Sequence, residues 1–178
     1  MKKTFTLFTI ILLLGWAAEV NAQAFTFAPG QLTYTESFDG MGPAGTTFIN
    51  GWTAIRYAGT GSIGDVLPLV VTDGSANAGA IYNVGSTGAD ERAFGSLASV
   101  STVPRFGAVF QNNTGSGITA IELTGVMEQW RSGSNNTVNE VYAFEYSLDA
   151  TSLSTGTWVA ATSFDLIEKI TASVAAEA

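Results

Sequence analysis

Apolar and polar residues alternate with a period of two through most of the chain beyond residue 30, and helical periodicity is nearly absent. Gln31 to Phe38 places Leu32, Tyr34, Glu36 and Phe38 on one face and Thr33, Thr35 and Ser37 on the other. Trp52 to Tyr57 and Val66 to Thr72 are β-branched or aromatic runs between glycine-rich turns, and Ala80 to Val84 and Arg92 to Ala98 continue the style. Phe106, Ala108 and Phe110 alternate, and residues 112–117 then make a turn. Ile118 to Arg131 predicts one long strand bent at Gly125, since an interior glycine marks a bulge. In Val138 to Leu148, Tyr142, Phe144, Tyr146 and Leu148 read as the core face and Glu145 points the other way. Thr157 to Thr162 is the last strand. Roughly nine to eleven short strands with turn signals at this spacing predict an all-β, antiparallel sandwich.

The two ends depart from this pattern. Asp165 stands where a helix N-cap would, with Glu168 three residues on, and Leu166, Ile167, Ile170 and Val174 follow near-helical spacing. A short C-terminal helix is expected there. At the other end, Lys2 and Lys3 precede an apolar stretch from Phe5 to Ala18, and Val20-Asn21-Ala22 supplies the small or β-branched residues of a cleavage site. The stretch is shorter than the roughly 20 apolar residues a bilayer span needs. Residues 1–22 therefore read as a helical signal peptide, with a retained N-terminal anchor as the alternative, and the mature chain is expected to be secreted or at the cell surface. Residues 23–178 show no repeat or linker and read as a single domain.

Composition narrows the chemistry. The chain has no His and no Cys. That excludes a Ser-His-Asp triad, a cysteine nucleophile, an ordinary zinc or haem site, a disulfide and an acylated N-terminal cysteine. Residues 23–178 carry five basic and fourteen acidic side chains. Such a surface repels phosphate backbones, so no nucleic acid partner is expected, whereas divalent cations are compatible with it.

Several segments resemble known domains. Tyr34-Thr-Glu-Ser-Phe-Asp-Gly-Met41, followed by Gly51-Trp-Thr53, resembles the opening of secreted jelly-roll sandwiches related in shape to concanavalin A-like and MAM-type adhesion domains. Arg92-Ala-Phe-Gly-Ser-Leu-Ala98, Phe106-Gly-Ala-Val-Phe-Gln-Asn-Asn-Thr-Gly115, Glu128-Gln-Trp-Arg131 and Phe144-Glu-Tyr-Ser-Leu-Asp-Ala150 follow in that order. Together they are similar to an uncharacterised exported bacterial domain often attached to PEP-CTERM or type IX secretion sorting tails, or to secreted nuclease and lamin-tail modules. The resemblance covers residues 33–162 and implies a jelly-roll-like sandwich, with no assigned activity to carry over. In that pattern the strand at Thr157–Phe164 leads on to closing strands, and the match fades over Leu166–Ala178. The resemblance thus implies that this chain is a fragment of a larger exported protein, or that the terminal helix covers the gap.

Candidate chemistry rests on carboxylates and aromatics. If 118–131 is one strand, Glu122, Thr124, Val126, Glu128 and Trp130 share a face. Glu128 and Glu145 would then lie on one open sheet face beside Trp130 and Arg131. Two carboxylates roughly 5 to 9 Å apart suit glycoside hydrolysis, one as acid and the other as nucleophile or base. The alternative is solvated strand residues paired with Arg131 or Arg105, and no glycosidase signature accompanies them. Glu128, Trp130 and Arg131 also form the candidate ligand-binding set, with the Trp130 ring offered to a sugar. Trp52, Trp158, Tyr57 and Tyr82 are either a carbohydrate platform or core, and core is expected for Trp52 and Trp158. Glu36 and Asp39, with a carbonyl near Gly40 and Asp65 or Asp73, are candidate ligands for a structural Ca2+, which MAM-like domains often hold near the first strand. Asp39-Gly40 and Asp73-Gly74 are equally plain turn signals. The glycines of Tyr57 to Gly64, and the sequons Asn112-Asn113-Thr114 and Asn135-Asn136-Thr137, read as turns.

The expected function is a non-catalytic extracellular module for adhesion or carbohydrate binding. Its expected partner is a glycan or cell-surface polymer, with no transmembrane anchor in this chain and no cofactor beyond the candidate Ca2+. A glycoside-processing enzyme and a structural spacer are the alternatives.

Overall fold

The computed structural model describes residues 24–132 and 140–171. The signal peptide, the Asn135 sequon and the last half of the expected C-terminal helix lie outside the described residues. Within them the chain is all-β: eleven short strands and two single-turn 3-10 segments, Asp39–Met41 and Thr162–Phe164. Strand β1 (Phe25–Phe27) falls on no expected segment. Strands β2 (Trp52–Ala58), β3 (Leu69–Thr72), β4 (Ala80–Val84) and β5 (Ala93–Leu97) fall on the β-branched and aromatic runs, and β6 (Val103–Ala108) and β7 (Phe110–Asn112) on the Phe106–Phe110 alternation. β8 (Val141–Tyr142), β9 (Glu145–Tyr146), β10 (Val159–Ala160) and β11 (Leu166–Ile167) are two-residue pairings.

The sheets are small. β2 pairs antiparallel with β6, and β3-β4-β5 form the single three-stranded sheet among the described residues. Ala54 lies opposite Phe106 in the β2–β6 ladder. Both belong to a core with Met41, Leu67, Leu69 and Ile81, against which Phe38, Phe48, Ile49 and Phe94 pack. The core is therefore shared between β2–β6 and β3-β4-β5. Full burial of a side chain such as Ile81 contributes about 2–3 kcal/mol. The expectation of an antiparallel fold needs correction at two pairings, because β1–β7 and β3–β4 run parallel.

The β3–β4 pairing has a structural cost. Parallel neighbours usually need a crossover of about a dozen residues, often a helix. Here residues 73–79 alone carry the chain back along the strand, so loop side chains must satisfy the backbone. Thr72 Oγ1 accepts the N–H groups of Gly74 (3.1 Å) and Ala76 (3.3 Å), and Asp73 Oδ1 accepts that of Ser75 (3.0 Å). Gly74 adopts φ +90°, where a side chain is strained. The Tyr82 hydroxyl, one strand on, donates to the Ala78 carbonyl at 2.7 Å.

Three further expectations change. Gln31 to Ser37 forms no strand, yet its alternation persists: Tyr34, Glu36 and Phe38 are half-buried, while Thr33, Thr35 and Ser37 are exposed. Leu32, at 80% exposure, leaves the face it was assigned to. Ile118 to Arg131 is not a strand either, and Ile118, Ile121, Leu123 and Val126 are exposed. Alternation identifies a segment able to pair, but among the described residues no backbone ladder forms along 118–131. The helix expected from Asp165 is replaced by β11, whose Leu166 and Ile167 pair with Tyr142 and Val141. Asp165 and Glu168 accept backbone N–H groups as cap residues do, but from Phe144 (2.7 Å) and Glu140 (3.2 Å) across the pairing rather than from a first helical turn.

Candidate functional site

The two candidate catalytic acids are held by different partners. Glu145 Oε2 accepts from Arg105 Nη2 at 2.7 Å. Arg105 Nη1 donates to the Leu153 carbonyl at 3.0 Å, and its guanidinium lies over the rings of Tyr57 (3.9 Å) and Trp158 (4.9 Å). This cluster fastens the β9–β10 hairpin to the face of β2–β6 turned away from the core. The face assignment of that segment is corrected accordingly: Glu145 is half-buried against Arg105, whereas Tyr146 and Leu148, expected on the core face, are exposed. Glu128 Oε2 accepts the indole N–H of Trp130 at 2.8 Å. With 118–131 outside any sheet, the geometry that would set Glu128 and Glu145 on a common face is lost, and no hydrogen bond joins them.

Glu36 and Asp39 are occupied by protein donors. Glu36 Oε1 accepts the N–H of Phe38 at 2.8 Å, and Oε2 accepts the Tyr34 hydroxyl at 3.0 Å, which itself accepts the Trp52 indole N–H at 3.0 Å. Burial pushes the Tyr34 hydroxyl above its ordinary pKa, the Trp52 bond opposing this and Glu36 adding to it. The relay holds Phe38 at φ 68°, a left-handed conformation costly for a bulky residue, and so directs its ring onto Phe94 and Trp52. Asp39 Oδ1 accepts the backbone N–H of Arg92 at 2.9 Å. Asp65 pairs instead with Arg56, and Asp73 with Ser75. Among the described residues no three acidic side chains converge as metal ligands. Glu36, Asp39, Asp65 and Asp73 therefore do not come together as one ligand set among the described residues.

Of the third set, Glu128, Trp130 and Arg131, the arginine meets the β3–β4 loop. Arg131 Nη1 donates to the carbonyls of Ser75 (3.1 Å) and Ala76. Those two acceptors belong to the loop that must reverse a parallel connection, and Arg131 supplies part of the satisfaction that the loop backbone lacks. Trp130 is half-buried beside it. The adjoining Gln129 side chain accepts the N–H groups of Lys169 and Ile170, both at 2.9 Å, and donates to the Ile170 carbonyl at 2.7 Å. A single side-chain amide thus acts as a peptide group and holds this segment where ladder pairing is absent.

The other side of the loop walls a half-open cavity of about 350 Å3. Pro43, Val71, Asp73, Ser75, Thr87 and Arg92 line it. The Ser75 hydroxyl and N–H hold the Asp73 carboxyl below its ordinary pKa. Arg92 is 2% exposed, and its guanidinium donates to Asn83 Oδ1 (2.6 Å) and to the carbonyls of Asn83 (2.8 Å), Thr72 (3.3 Å) and Ser86 (3.3 Å). Asn83, fully buried, completes the network by donating to the carbonyls of Gly42 and Gly45. Gly85 makes room for Arg92: a Cβ there would overlap Nη1 and the Glu91 carbonyl oxygen. Sequence reasoning placed Arg92 within a strand motif and gave it no role. The available signal was one arginine, of four in the chain, opening a strand next to the turn that precedes it.

Trp52 and Trp158 are half-buried, with their indole N–H groups satisfied by Tyr34 and the Thr155 carbonyl. Tyr82 is buried. These three serve packing rather than an open platform, while Tyr57 is half-exposed over Arg105. Asn112 folds back on its own turn, donating to Ser116 and accepting from Thr114. Among the described residues no helix is long and apolar enough to cross a membrane. No family model, no curated protein and no solved structure matches the chain.

Proposed function

We propose that this chain is a non-catalytic extracellular β-module that binds a glycan or cell-surface polymer, as part of a larger exported protein. The Arg131 bonds to Ser75 and Ala76 carry the reading, because they fasten the segment bearing Glu128 and Trp130 to the loop whose Ser75 and Ala76 line a cavity of hydroxyls, small apolar groups and a buried guanidinium. Binding sites of this size are typically concave, with a few placed polar groups among apolar ones. Export through residues 1–22 and a jelly-roll-like arrangement of the sheets belong to the same reading, supported by the N-terminal pattern and by a core shared between two sheets.

A polysaccharide pull-down tests it. The purified protein is retained on at least one polymer, and Trp130→Ala weakens retention while leaving the melting temperature within a few degrees. Absence of retention on every polymer tried would favour a spacer whose task is to present neighbouring modules.

A further inference from the structure

We propose that the cavity beside Arg92 is a subsite for a single carboxylated sugar. Its carboxylate would accept from the Arg92 guanidinium, and its ring hydroxyls would donate to Asp73. The inference rests on the glycan-binding reading and names the sugar class.

Charge accounting at Arg92 comes first. The guanidinium is buried and positive, and no carboxylate of the described residues lies within ion-pair distance of it. The Asp39 contact is to the backbone N–H, so it leaves the guanidinium uncompensated. A guanidinium has five N–H donors. Four of them meet neutral oxygens, from Asn83, Thr72 and Ser86, leaving one on Nη1 without a protein acceptor among the described residues. Buried charges are ordinarily paired, and the one free N–H of Arg92 can make a single charge-assisted hydrogen bond to a carboxylate. Arg92 is also part of the cavity wall, so a bound carboxylate has a route to it.

The remaining wall selects what carries the carboxylate. Asp73 Oδ1 is taken by the Ser75 N–H and hydroxyl, whereas Oδ2 accepts no hydrogen bond from the described residues. Thr87 and Ser75 line the same cavity, and Pro43 and Val71 offer apolar surface to the C–H face of a ring. One carboxylate acceptor amid hydroxyls matches sugar hydroxyls better than an ammonium, which brings three donors. The excess of acidic side chains over the whole chain repels a polyanion, so one carboxylated residue in an otherwise neutral glycan is favoured over a polyuronate.

Titration of the full protein with sodium glucuronate, glucose, sodium acetate and glycine, followed by calorimetry or chemical shift, tests the assignment. Glucuronate is expected to bind saturably and about tenfold or more tighter than any of the other three, a difference these methods resolve. Thr87→Trp narrows the cavity from an exposed position and touches none of the Arg92 bonds. It should weaken glucuronate about tenfold at unchanged melting temperature, and Asp73→Asn should weaken it less. Equal response to glucose, acetate or glycine, no saturable binding, or full affinity in Thr87→Trp overturns the proposal. Polymer retention without glucuronate binding overturns the subsite alone. Glucuronate binding by a protein that no polymer retains overturns the module reading and leaves the subsite standing.

Discussion

Glu145 and Arg105 form an ion pair at 2.7 Å, and the same guanidinium stacks over Tyr57 and Trp158. A carboxylate in that setting fixes a hairpin to a sheet. Glu145→Gln should therefore lower stability by about 1 kcal/mol, the upper end for a partly solvated pair. Arg105→Ala should cost about 2–3 kcal/mol, since it also removes the Leu153 bond and the ring contacts. Urea unfolding of both variants and the double mutant checks this, with a coupling energy near the Glu145→Gln loss as the expected result.

Asn83 donates to two loop carbonyls and accepts from Arg92, all in the interior. Asn83→Ala should cost about 3 kcal/mol, because two carbonyls and a guanidinium N–H lose their partners in the interior. Gly85→Ala should cost about 1–3 kcal/mol by driving a Cβ into Arg92. Denaturation midpoints order the two variants.

Acid should loosen the Ser147–Thr157 loop. The Thr157 N–H, then the Ser147 and Thr157 hydroxyls, hold the Asp149 carboxyl below its ordinary pKa of 3.8. A folded pKa below the unfolded one contributes stability that is complete above the unfolded value and disappears as pH falls through the folded one. The melting temperature should thus fall below about pH 5, and Asp149→Asn should flatten that fall while lowering stability at pH 7. Thermal melts from pH 7 to pH 3 on both proteins read the difference.

Calcium should leave the melting temperature unchanged relative to a chelator, since the oxygens of Glu36 serve Phe38 and Tyr34. Glu36→Gln should still destabilise, by about 1 kcal/mol, because it weakens the bond that holds the Phe38 turn.

Strands inside the core were legible as β-branched or aromatic runs between glycine-rich turns because burial and pairing coincide there: Ala80–Val84 is the same span in sequence and structure. Alternation failed where only one of the two conditions held. Tyr34, Glu36 and Phe38 turn inward with no ladder, and Ile118 to Arg131 has strand-forming residues with no ladder partner among the described residues. The Asp165–Glu168 spacing misled for a different reason. A carboxylate accepts an N–H equally from a helical first turn or from an adjacent strand, and sequence does not distinguish the donors. At the site, the Arg131–Trp130–Glu128 segment was visible as a cluster of chemistry-bearing residues. Its partner loop and Arg92 were not, because a parallel β3–β4 connection through residues 73–79 has no local signature.

The central claim is that the charged groups near Trp130 bind polymer and leave its bonds intact. One incubation with a polysaccharide that retains the protein, read for bound fraction and for released reducing ends, tests it most directly. Binding that Trp130→Ala weakens, with reducing ends at the buffer level, is the predicted result. Reducing ends that rise with time and vanish in both Glu128→Gln and Glu145→Gln would contradict it.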